Sequence, residues 1–356
     1  MAHKKTGTPR KRKIVKRKKK QASSRDTDSF PPMLQMGRPG ARSEFVDPRA
    51  LESLHSNITR LMEEQEFESI DEANAFLSQF IGGKDVPKPK RELTPLEQAQ
   101  DKMYEAWGAE DDDKRVTLAR EALAISPDCA DAYVLLAEET AETNEEAREL
   151  FQKGVEAGER ALGKEFFEEN AGEFWVIIET RPYMRARAGL AETAEATGDP
   201  KQAADHYREL LRLNPKDNQG NRYALARCLL KSGADEELGK LLDQYKDDAM
   251  ADWLYTRALW LFRKEGATTH ASDALVKAFK QNPFVPLYVL GVAQMPDEPP
   301  GYIEMGGENE AVEYVGMNGL AWLDTEGAIQ WFIDTLIEAK DKLPFGKMKR
   351  RIMGGQ

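Results

Sequence analysis

Apolar residues recur at spacings of three and four along most of this chain, and the recurrence stops at regular punctuation. Residues 48–65 place Leu51, Leu54, Ile58, Leu61 and Met62 on one stripe, which predicts an amphipathic helix. SIDEANAFLSQF follows with a capping box, Ser69 and Glu72, an apolar stripe of Ala73, Phe76, Leu77 and Phe80, and Gly82-Gly83 as its stop. The proline-rich KDVPKPKRE reads as a linker. From residue 94 the pattern is helical almost throughout. TPLE opens a helix with a capping box and proline in its first turn, TNEE at 143–146 repeats the device, and GDPKQ at 198–202 combines an aspartate cap with a proline.

These starts and stops are periodic. Helices ending in AREALAISP, YRELLRLNP and VKAFKQNP close at Pro127, Pro215 and Pro283. The last two prolines lie 68 residues apart, two units of 34, and the first two lie 88 apart, two units plus 20. Taking Pro215 as position 32 of its unit puts Leu190 at position 7, Ala203 at 20 and Tyr207 at 24. Pro283 puts Ala258, Ala271, Leu275 and Ala278 at 7, 20, 24 and 27. Small residues recur where two helices of a pair would meet closely, and bulky ones where a pair would fill the gap to its neighbour. One such unit cannot bury its apolar face alone, so stacked neighbours must make the core. The pattern resembles a tetratricopeptide repeat array of about five units over residues 94–290. The 20-residue excess, in ERALGKEFFEENAGEFW, predicts a lengthened helix or an inserted hairpin. ETRPYMRA and LNPKDNQGNRY are similar to the tetratricopeptide segment that bacterial proteins share with the suppressor-of-tumorigenicity seven family. That likeness covers residues 165–290, sharpens the fold, and implies no established reaction.

The expected architecture is therefore all-α, a helical solenoid with further parts around it: an arm at 1–43, a small helical module at 44–83, a linker at 84–93, the array at 94–290, a C-terminal helical cap at 291–345 and a basic tail at 346–356. The cap reading rests on two helices packed by Ala311, Tyr314 and Val315 and by Ile329, Trp331, Phe332 and Leu336. The glycine-rich acidic stretch GYIEMGGENE before them reads as a turn.

In the tetratricopeptide resemblance, first-helix positions 2, 5, 9 and 12 line a concave groove. That phase gives Arg185, Ala188, Glu192 and Glu195 in one unit, and Trp253, Thr256, Trp260 and Arg263 in another. The degenerate unit between them offers Gln219, Arg222, Ala226 and Leu229, or Gly220, Tyr223, Arg227 and Leu230. Arg185, Arg222, Tyr223, Arg227, Trp253 and Trp260 are the expected peptide-binding residues, arginines pairing with carboxylates and tryptophans giving flat apolar contact. The alternative is that the tryptophans are inter-helix core and the arginines pair with neighbouring acids such as Glu192, Glu195 or Glu209. Within ETRPYMRARAGL, Arg185 faces the groove, Arg187 reaches toward an acid such as Glu209, and Arg181 pairs with Glu179 or Glu173. Position 5 here holds Ala132, Ala188 and Thr256, a departure from the Lys and Asn clamp that the chaperone-binding members use.

Charge adds a second partner class. Net charge is -11, but residues 1–20 carry 11 Lys or Arg and no acid, leaving 40 basic residues against 62 acidic ones elsewhere. Arg10, Lys11, Arg12, Lys13, Lys16, Arg17, Lys18, Lys19 and Lys20 would neutralise phosphates without reading sequence, since no aromatic residue accompanies them. A localisation run and a counter-charge for the acidic body are the other readings of this arm. The remaining expectations are absences. No Walker loop, GxGxxG, GxSxG or HExxH is present, so no catalysis and no cofactor are expected. Cys129 and Cys228 are isolated and the four histidines are scattered, so no metal is expected. No apolar run reaches the roughly 18 residues of a membrane span and no h-region follows the N-terminal charges. The chain reads as a cytoplasmic interaction protein holding an unnamed protein or peptide, with non-specific nucleic acid as the rival partner.

Overall fold

The computed structural model describes residues 48–80, 86–87 and 89–343, which form sixteen α-helices and no strand. The arm, the Gly82-Gly83 stop and the basic tail lie outside the described residues, and with them all nine expected nucleic-acid contacts.

Two helices precede the array: α1 (Pro48–Glu63) and α2 (Ile70–Leu77). Then come five antiparallel pairs: α3 (Pro95–Gly108) with α4 (Asp112–Ile125), α5 (Ala130–Thr140) with α6 (Asn144–Leu162), α8 (Arg181–Ala196) with α9 (Pro200–Leu213), α10 (Asn221–Ser232) with α11 (Asp235–Gln244), and α12 (Ala251–Glu265) with α13 (Thr269–Gln281). The short α7 (Lys164–Glu169) and α14 (Val285–Val289) interrupt the series. A last pair, α15 (Glu308–Asp324) and α16 (Ala328–Ala339), continues it, α15 against α12 and α16 against α13. The inserted residues take the first expected form, a lengthened helix: α6 runs to 19 residues, and the six-residue α7 follows it.

The caps expected from sequence are made. Thr94 accepts from the Glu97 backbone while the Glu97 side chain returns to the Thr94 N–H at 2.7 Å, closing the box. Thr143, Asp199 and Ser69 accept from residues three further on. Thr180 stands at the N-cap of α8 without a capping bond; its hydroxyl donates instead to Phe174 O and Ile177 O.

Pairs are pressed together at glycines. A Cβ on Gly189 of α8 would stand 2.3 Å from the Phe151 ring of α6, and one on Gly239 of α11 would stand 2.5 Å from the Trp260 ring of α12. Helix axes can approach this closely only where one partner has no side chain, and the aromatic ring then fills the space. One apolar core runs from Val134 and Ala137 of α5 to α16, and a second joins α3, α4 and other buried residues of α5.

Two elements differ from expectation. In α2 no residue is buried, and the Phe76 ring packs on those of Phe67 and Phe80, at 5.5 and 5.2 Å. In α1 the row that turns inward is polar: Glu52, Ser56 and Arg60 are buried with Leu61, while Leu54 is 46% exposed.

Candidate functional site

The first helix of each pair (α3, α5, α8, α10, α12 and α15) contributes to one face of the array, and two sites lie along it.

The first is already filled by α1, which packs on α3 and on the 3-10 turn Ile178–Thr180. Its contacts are ionic. Glu52 receives Arg185 at 3.0 Å on each oxygen and Arg181 at 3.1 Å. Arg49 reaches Glu138 of α5 at 2.8 Å and lies over the Trp107 ring of α3. Arg60 pairs with Asp101 at 2.8 Å and Glu97 at 3.3 Å. Arg185 also binds the wholly buried Asp131 at 2.6 and 2.8 Å, so one guanidinium ties α1, α5 and α8 together. ETRPYMRA is thus the seat of α1. Arg181 pairs with Glu52, not Glu179 or Glu173, and donates to Trp175 O at 3.0 Å. Arg187 meets the Tyr183 hydroxyl at 2.6 Å and Glu159 at 3.9 Å instead of Glu209, which pairs with Arg212.

Further along the face lies a cavity of about 270 Å³, lined by α8, α9, α10, α12, α15 and the loop around Ile303. Its walls include Glu192 and Glu195 from α8, Tyr223 and Arg227 from α10, Asp252 from α12, and Glu313 and Met317 from α15. Arg227 is committed to Glu195 through two bonds of 2.6 and 2.8 Å. Burial opposes ionisation of Glu195, but Arg227 and Lys231 outweigh it and lower its pKa. Glu192, one helical turn earlier, is 6% exposed and makes no hydrogen bond or ion pair with any described residue. Burial, then repulsion from Glu138 and Glu195, pushes its carboxyl up to about 8. Asp252 keeps some surface, yet its Oδ1 is buried without a partner; Asn318 donates to Oδ2 at 2.9 Å. Burial raises it to about 7 and also raises Glu313. Among the described residues no group of three His, Cys, Asp or Glu is arranged to hold a metal ion.

Of the six expected peptide-binding residues, the structure brings Tyr223 and Arg227 to this cavity. Arg185 is taken by α1. Arg222 faces Asp217 at 2.9 Å and Asp248 at 2.8 Å, joined by the Tyr223 hydroxyl at 2.8 Å from Asp248. Asp217, at φ 51°, also accepts from the Asn221 and Arg222 backbones, so LNPKDNQGNRY is a corner that starts α10. Both tryptophans follow the core alternative. Trp253 is 0% exposed between Tyr223 and Tyr245; Trp260 is 9% exposed over Gly239, its indole donating to Asp235 O at 2.7 Å.

Position 2 of a first helix accordingly faces inward in one unit (Arg185) and enters the core in another (Trp253). The repeat phase placed Glu192 and Glu195 in the groove, without naming them among the expected peptide-binding residues, and the alternative reading made them pairing partners for arginines. Asp252 and the α15 residues were missed. Their one signal was an acid pair three residues apart, Glu310 and Glu313, on a helix read as a cap. The turn reading of GYIEMGGENE holds for residues 301–307, while Glu308 to Glu310 open α15; Glu310 is buried and accepts from the backbones of Ala251, at 2.8 Å, and Gly306, at 2.7 Å, fastening α15 to α12.

Residues 92–251 match a family model described as "ST7 protein". Curated relatives include "Suppressor of tumorigenicity 7 protein-like" from Gallus gallus, 29% identical over 249 residues, covering 64% of this chain and 45% of that protein. The Homo sapiens protein of the same description is 29% identical over 249 residues, covering 64% and 43%. "Protein ST7 homolog" from Caenorhabditis elegans is 27% identical over 270 residues, covering 64% and 49%. The chain spans less than half the length of these relatives. Similarity to the ST7 family, expected from ETRPYMRA and LNPKDNQGNRY, is therefore found, and the matched stretch contains α3 to α11 with both motifs. No helix among the described residues is long and apolar enough to cross a membrane.

Proposed function

We propose that this chain is a non-catalytic adaptor of tetratricopeptide type that holds a segment of another protein along the face of its first helices. One observation carries the reading. The face already holds a helix, α1, through side chains drawn from α3, α5 and α8, and the neighbouring stretch of the same face is a cavity walled by Glu192, Asp252 and Glu313. A surface that clamps one helical segment by paired charges is chemically equipped to take another where charged walls stand unpaired.

Site-specific photocross-linking tests this in the full chain. A benzophenone side chain at Gln219, on the cavity wall, should yield discrete cross-linked proteins in native lysate; the same group at Val176, which is exposed elsewhere, should not. Identical band patterns at the two positions, or none at Gln219, would refute an adaptor role for this face.

A further inference from the structure

Resting on that adaptor reading, we propose that the cavity lined by Glu192 and Asp252 recognises the cationic side chain of an arginine or lysine in the bound protein segment.

Three observations point to a cation. The lining carries five carboxyl residues, Glu192, Glu195, Asp252, Glu310 and Glu313, against one arginine. Two of these are already satisfied, Glu195 by Arg227 and Glu310 by backbone N–H groups, which leaves the others to a ligand. The Glu192 carboxyl opens on the cavity without a hydrogen bond or ion pair from any described residue, and one oxygen of Asp252 is buried with no donor in reach. An unmatched buried carboxyl is costly, and native structures keep few of them. A guanidinium or ammonium group entering the cavity supplies the missing donors and the opposing charge together.

The walls also define the kind of cation. Tyr223, Met317 and Ile303 give the lining apolar surface, which suits an aliphatic stem carrying the charge at its tip. A divalent metal is disfavoured because the carboxyls do not converge. Several charged groups set the protonation state of Glu192. Glu138 and Glu195 repel its charge and Arg227 attracts it, with Tyr207 packed nearby. A bound cation adds to the attraction, so binding should expel a proton at neutral pH.

The test uses n-butylguanidinium as the probe and n-butylurea as its uncharged match, titrated calorimetrically into the full chain at pH 7.5. Running the titration in two buffers of different ionisation enthalpy counts protons. The expected result is binding of the cation alone, release of up to one proton, and at least a tenfold loss of affinity in both Glu192→Gln and Asp252→Asn. Gln keeps the shape and neutrality of a protonated carboxyl, and circular dichroism of each variant checks folding. Equal binding of the two probes, or unchanged affinity in both variants, overturns the proposal. Cross-linked segments from the Gln219 experiment should contain Arg or Lys at the attachment site. A captured segment lacking both sinks the cation site and leaves the adaptor standing. A Gln219 cross-link to residues 1–20 of the same chain in purified protein would show an internal occupant, and overturns a partner's side chain as the ligand.

Discussion

Glu192→Gln should stabilise the protein, and by an amount that grows with pH. In the folded chain burial and the nearby Glu138 and Glu195 raise the Glu192 carboxyl from 4.5 to about 8. Below 4.5 the group is protonated in both folded and unfolded states and contributes nothing to the pH dependence. Between 4.5 and 8 the folded state holds the proton that the unfolded state has lost, so stability falls as pH rises, and above 8 the loss is complete. At about 1.4 kcal/mol per unit the full loss is roughly 5 kcal/mol, and about half that once the site relaxes and admits water. Glutamine never ionises and escapes it. The two proteins should unfold together near pH 4.5 and separate by roughly 5–10 °C at pH 8.5, taking about 2–4 °C per kcal/mol. Thermal unfolding followed by circular dichroism at a series of pH values measures this. Other titrating groups largely cancel in the difference, including His206, whose burial and neighbour Arg187 lower it to about 4 and whose effect has the opposite sign. A difference between wild type and variant that does not change with pH would show that Glu192 is not held protonated.

Arg185→Ala should release α1. It strips the buried Asp131 and Glu52 of their main counter-charge, a change that costs about 3–5 kcal/mol when one member of a buried pair is removed. Hydrogen exchange of the amides at 52–62 should accelerate; unchanged protection would mean that α1 is held by its other contacts. Gly189→Ala should destabilise by about 1–3 kcal/mol, seen as a lower urea midpoint, because the new methyl collides with Phe151, and Phe151→Leu in the same chain should restore part of it. Asp217→Ala, which loses two backbone bonds and the Arg222 pair, should destabilise by about 2–3 kcal/mol, while Asp217→Asn should recover roughly half.

The periodic apolar pattern and its caps are local chemistry, and they located the helix pairs. A Thr three residues before a Glu, a proline after a buried stripe and a small residue where two helices meet each act within one or two turns. They could be read at Thr94, Thr143, Pro215 and Ala271 with no knowledge of the fold. The same repeat arithmetic brought Glu192, Glu195, Tyr223 and Arg227 to the inner face. It could not tell a side chain on that face from one beneath it. Trp253 and Arg185 share a repeat position, yet Trp253 entered the core because Tyr223 and Tyr245 leave a slot for it. Arg185 was claimed by Glu52, 133 residues earlier in the chain. The inward turn of the polar row of α1, against its apolar stripe, is likewise a tertiary result, since only the arginines and acids of α3, α5 and α8 make that row the better one to bury. The cavity needed α8, α10, α12 and α15 together. Each of its carboxyls alone is an ordinary acid on a helix. Assembly around one enclosed space is what withdraws water from Glu192 and Asp252, leaving them short of partners.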